Sequence, residues 1–164
     1  MRFSLVDRIL EVEPGRRIRA VKNLTLGEEY LADHFPTFPV MPGVLMLQTL
    51  VEASSWLLRI SDEFRYSVVV LREAKNVKFG QFMVPGRQMI AFAEIVEDNG
   101  VQSILKAKGE ADGQQTVSAR ISLARYNVGN GLQDFAGLNE RIAAHWRGTY
   151  ALLIGSGKAG LAGT

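Results

Sequence analysis

The 164-residue chain has two histidines, and one of them, His34, stands in a stretch whose residue types suit proton transfer. Residues 33–52 read DHFPTFPVMPGVLMLQTLVE. His34 is followed by Pro36, Pro39, Pro42 and Gly43, and then by an apolar run. An imidazole, with an ordinary pKa of about 6.5, is the natural proton acceptor near neutrality. Set before a rigid turn and a helix start, His34 reads as half of an acid/base pair. The first polar residue inside the run is Gln48, which donates a hydrogen bond but cannot give up a proton. The first carboxylate is Glu52, about 6 Å further along a helix rising ~1.5 Å per residue.

The elements that must position these groups follow from the same stretch. Three prolines forbid regular structure over most of 35–42, and Pro42 suits the first turn of a helix. From Gly43 to about Arg59 the chain is apolar nearly all round, which predicts a buried helix. Gln48, Glu52, Ser55 and Arg59 form one polar stripe at helical spacing. The N–H groups of Gly43 and Val44, at the start of this helix, lack intrahelical partners and carry the positive end of its dipole. They are natural donors to a carbonyl. Gly43 permits close approach of a ligand, or serves only to let the chain turn. Two fates are open to Glu52: a buried, unpaired carboxylate stays protonated and serves as an acid, whereas one paired with a cation such as Arg59 is an inert anion. A further reading makes it a satisfied buried carboxylate at a protomer interface. Met46, Leu50 and Trp56 read as core.

The rest of the chain supplies strands. VDRILEVEPGRRIRAVKNLT is a hairpin around Pro14-Gly15. Four strand patterns follow the helix: SVVVLREAKNVKFG, RQMIAFAEIVEDNG, VQSILKAKGEADG and QTVSARISLARYN. The last two alternate cleanly with period two and join near Asp112-Gly113 as an antiparallel hairpin. LQDFAGLNERIAAHWRGTYALL reads as an amphipathic helix and GSGKAGLAGT as a flexible tail. This order predicts an α+β fold, a curled antiparallel sheet of about six strands around one long helix. Residues 1–126 form that domain and 127–164 an extension.

Composition excludes several functions. Hydrophobic content of 47% with 22% charged residues is that of a globular domain. A formal charge of +2 is too weak to argue for nucleic acid. With no cysteine, disulfides and thiolate chemistry are excluded, and a cytoplasmic setting is expected. Neither a signal peptide nor a membrane span is expected. Arg16, Arg17, Arg19 and Lys22 form a local basic cluster, read as the solvated face of a strand or, alternatively, a docking surface for an acidic partner.

HFPTFPVMPGVLMLQ resembles the signature of the bacterial 3-hydroxyacyl-[acyl-carrier-protein] dehydratases, His-Phe-Pro-Gly-x-Pro-Val-Met-Pro-Gly-Val-Leu-x-x-Glu with a Gln four residues on. VDRILEVEPGRRIRAVKNLT and NVKFGQFMVPGRQ are similar to the family's N-terminal hairpin and later strand, so the resemblance covers roughly residues 3–126. It implies a hot-dog fold, an acyl thioester on acyl carrier protein or coenzyme A as substrate, no cofactor or metal, and a homodimer or higher homo-oligomer. It implies His34 as catalytic base, and Pro42, Gly43 and Val44 at the substrate carbonyl. In the family the histidine of one protomer meets the acid of the other. Two positions depart: Thr37 replaces the signature glycine, and Gln48 and Glu52 have exchanged the family's Glu and Gln. The expected activity is dehydration with Gln48 at the usual acid position and Glu52 as a displaced acid. The alternatives are a noncatalytic acyl-thioester-binding or accessory subunit and a hot-dog thioesterase.

Overall fold

The computed structural model describes residues 4–131 and 135–155. Pro14-Gly15 turns the chain, with Gly15 at φ +73°, between β1 (Arg8–Glu13) and antiparallel β2 (Arg17–Asn23). A 3-10 turn at Glu29–Ala32 leads into the proline-rich loop. Helix α1 then runs Gly43–Ser61, ending slightly beyond the expected Arg59. β3 (Val68–Phe79), β4 (Gln88–Asp98), β5 (Gln102–Ala111) and β6 (Gln114–Tyr126) follow, and α2 (Ala136–Ile154) comes last. The flexible tail expected after α2 lies, beyond Gly155, outside the described residues.

The six strands form one antiparallel sheet in the order β1-β2-β4-β5-β6-β3. Register shifts in β1, β3 and β4, and between β5 and β6, interrupt the ladder. Such bulges sharpen the twist, and the sheet curls around α1 in the hot-dog arrangement. Leu50, Ala53, Leu57 and Leu58 of α1 are fully buried in one core with Ala20, Ala91, Leu105 and Ile121 of the strands. Alanines on β2 and β4 leave room for the large side chains of the helix. The hydroxyls of Thr49, Ser54, Ser55 and Ser61 each donate to the carbonyl four residues back, so these polar groups sit in a buried helix already satisfied.

Two features fix the far end of α1. Arg125, 2% exposed, donates to the Gly100 carbonyl at 3.0 Å and pairs with Asp62 at 3.0 Å and with Asp98. Helix α2 lies on the other side: Trp146 meets Trp56 edge-on at 5.5 Å, and Tyr150 packs on Phe64 at 5.7 Å. Asn139 holds the start of the extension by bonding both the N–H and the carbonyl of Val128. Among the described residues, no helix is long and apolar enough to cross a membrane.

Candidate functional site

His34 leaves the 3-10 turn with its N–H donated to the Tyr30 carbonyl at 3.1 Å. Its Nδ1 lies 2.8 Å from the Val40 carbonyl oxygen. A carbonyl only accepts, so Nδ1 carries the proton and Nε2 presents a lone pair. The acceptor is itself fixed: Val40 and Met41 are each 1% exposed, and the Met41 N–H donates to Met83 at 2.8 Å. The proline-rich loop therefore orients an imidazole as a base. Phe35, next in the chain, sits at φ +58°, a left-handed conformation that costs energy in a bulky residue. Its ring lies 4.5 Å from that of His34. Strain adjacent to a positioned imidazole is a common mark of a functional site.

Pro42 supplies the cap of α1, and its carbonyl accepts from Leu45 and Met46 at 2.9 and 3.1 Å. The N–H groups of Gly43 and Val44 precede those bonds and have no partner among the described residues. A Cβ on Gly43 would stand 2.9 Å from the half-exposed Phe79 ring, so a larger residue there would push that ring aside. Around this helix start the surface is apolar: Phe35, Phe38, Val44, Phe79 and Phe82 are all more than half exposed. Phe38 and Phe82 meet edge-on at 6.1 Å. A clustered apolar rim of this kind marks a binding surface.

The stripe on α1 is arranged differently. Gln48 is exposed and makes no hydrogen bond among the described residues. Glu52 is neither unpaired nor paired with a cation, but a satisfied, half-buried carboxylate. Its Oε1 accepts from the Ser4 hydroxyl and its Oε2 from the Leu5 N–H, both at 2.7 Å. The carboxylate ties the N-terminal segment to the helix, and Arg59 does not pair with it. Gln48 and Glu52 line a cavity of about 500 Å³ between α1, β3 and α2, and His34 does not line it. Within one chain the proline-rich loop, anchored to His34 through Val40, runs on to the amides of Gly43 and Val44, while Gln48 and Glu52 line the cavity wall. The basic cluster is largely paired: Arg16 and Arg17 with Glu13, Arg19 with Glu11, and nearly buried Lys22 with Glu28.

Sequence reading missed the phenylalanine rim and the contribution of α2 to the cavity wall. Phe79 and Phe82 flank Gly80, whose Cβ would clash with the Gln115 carbonyl at 2.1 Å. That forced close approach at the end of β3 was the available signal for a turn presenting aromatic side chains.

Comparison with known proteins settles the family. The model of the FabA-like domain matches residues 1–120. The chain belongs to the FabA-like family. Among its relatives, the 3-hydroxyacyl-[acyl-carrier-protein] dehydratase FabZ of Listeria monocytogenes serotype 4b (strain CLIP80459) is 34% identical over 122 residues, covering 74% of this chain and 85% of the relative. The FabZ of Streptococcus gordonii is 38% identical over 120 residues, covering 73% and 85%. Solved structures share the fold at lower identity. The dehydratase heterocomplex ApeI:P from Xenorhabdus doucetiae matches with TM-score 0.63 and 12% identity, covering 81% of this chain and 90% of that one. Acetyl-CoA-bound smu.793 from Streptococcus mutans matches with TM-score 0.58 and 14% identity, covering 77% and 94%. Helix α2 lies beyond the span that the FabA-like model matches.

Proposed function

We propose that the protein binds a 3-hydroxyacyl thioester, carried on acyl carrier protein or coenzyme A, and removes water from it with His34 as base. The observation that carries this reading is the Nδ1 bond of His34 to Val40, which leaves Nε2 free, while the helix start that follows Val40 in the chain has unpartnered amides. Nε2 takes the C2 proton. The Gly43 and Val44 N–H groups hold the thioester oxygen as enolate-like charge develops. The C3 hydroxyl then leaves as water. Gln48 has no proton to give, so it contributes a hydrogen bond, and the proton that completes the water is the one His34 has accepted. Positioned acid catalysis is worth roughly 10²–10⁴ in rate, so turnover is slow compared with a chain bearing Glu at this position. The FabZ relatives support the substrate class and the reaction type.

The site needs a second copy. β3 is an edge strand with one side unpaired, and such edges invite pairing with another chain. A homodimer joined there matches the family's arrangement, in which the histidine of one protomer meets the residue at position 48 of the other. Steady-state assay of water loss from a 3-hydroxyacyl thioester, with His34→Ala as comparison, tests the proposal. Activity that survives His34→Ala sinks it.

A second reading, a binding or accessory subunit without turnover, is favoured by one observation: the one carboxylate on α1, Glu52, is occupied by Ser4 and Leu5. Thioester binding with no water loss, followed by a gain of activity in Gln48→Glu, would select it.

A further inference from the structure

Arg59 is buried, 7% exposed, and has no carboxylate partner among the described residues. Its one hydrogen bond, from Nη1 to the Ser67 carbonyl, is long at 3.4 Å. The guanidinium carbon lies 4.0 Å over the Trp146 ring. Arg125, equally buried, has two carboxylates. A buried cation without a counter-ion is costly. The Trp146 face and the C-terminal end of α1 offset part of that cost. Burial still lowers the Arg59 pKa to about 10.

Arg59 is part of the wall of the 500 Å³ cavity, which is within the range of small-molecule sites. Val51 and Trp56 of α1, Val69 and Leu71 of β3 and Trp146 of α2 give the cavity apolar walls, and Gln48, Ser55, His145 and Thr149 add polar groups. Glu52 stands on the same wall two turns away, about 10 Å along the axis at ~1.5 Å per residue. One end of the cavity thus repels an anion while the other presents unused guanidinium donors.

We propose that this cavity binds a carboxylate bearing an apolar chain, its head on Arg59 and its chain against the valines and tryptophans. One guanidinium fork matches one carboxylate in charge and geometry. A phosphate dianion would bring a second charge, and Arg59 is the one Lys or Arg among the described residues of the lining. An intact thioester brings no charge to Arg59, so the ligand is a free acid or a chain with a carboxylate at its far end. Gln48 lines the same cavity, so in the homodimer proposed above the cavity adjoins the catalytic site. The charge argument at Arg59 does not rest on the dehydratase reading, and octanoate binding is read independently of turnover.

The two tryptophans of the chain, Trp56 and Trp146, both line the cavity, so their fluorescence reports its occupancy. Octanoate is titrated into the full chain below its micellar concentration. The expected result is a saturable change in emission and a raised melting temperature, with octanol and inorganic phosphate giving neither. Arg59→Met should weaken octanoate binding at least tenfold without lowering the melting temperature of the free protein. A hexanedioyl thioester that competes with octanoate would point to a far-end carboxylate, and failure to compete to the free acid. The proposal is overturned if octanoate gives no saturable change, as when a partner subunit's side chain fills the cavity. Octanol that binds as well as octanoate overturns it too, and so does undiminished affinity in Arg59→Met. Should Arg59→Met fail to fold, the comparison of octanoate with octanol on the unaltered chain decides.

Discussion

The two ends of α1 have been put to different uses. At the N-terminal end, polar groups are oriented but unspent. His34 is held through Nδ1 with Nε2 free, and the Gly43 and Val44 amides have no partner among the described residues. Phenylalanines stand exposed around them. Further along, polar groups are consumed or enclosed. Glu52 is tied to Ser4 and Leu5, and Arg59 is stacked beneath Trp146 of an extension outside the family match. The carboxylate one turn along the helix is held by bonds within its own chain. Its neighbours have already given it a structural task.

The comparison can be broken most severely at the open end. His34→Ala should reduce water loss from a 3-hydroxyacyl thioester by about 10²–10⁴ in rate, the usual worth of a positioned base, while the melting temperature holds. Gln48→Glu should act in the opposite direction, raising turnover by about 10²-fold by restoring an acid where the family keeps one. Steady-state kinetics measures both. At the enclosed end the effects should fall on stability. Trp146→Ala, which strips the half-buried contact between α2 and α1, should cost about 2 kcal/mol in a denaturant melt, below the full range for a buried aromatic. Glu52→Gln weakens two charge-assisted bonds that are only partly buried, and should cost about 1 kcal/mol with turnover retained.

The fold was readable because its signals are local. The alternation in β5 and β6 places Leu105, Ala107, Val117 and Ile121 inward, and those residues are buried. The apolar circumference of α1 demanded a sheet around it, and the sheet is there. The candidate site was readable in part, for His34, Pro42 and Gly43 lie close in sequence and were recognised through their spacing. The fate of Glu52 was not, because its partners Ser4 and Leu5 lie 48 and 47 residues away and carry no pattern. Nor was the Arg59–Trp146 stack, which needs the extension to return across the end of α1. Period and spacing disclose elements, whereas contacts between distant segments depend on how the whole chain closes.

The central claim is that His34, with the amides at the start of α1, moves the C2 proton and that Glu52 does not. Exchange of that proton for deuterium in a 3-hydroxyacyl thioester, followed by mass spectrometry in D₂O, tests it without requiring water to leave. The account predicts exchange by the unaltered chain and by Glu52→Gln, and none by His34→Ala. Exchange that persists in His34→Ala, or disappears in Glu52→Gln while the fold is retained, would contradict it.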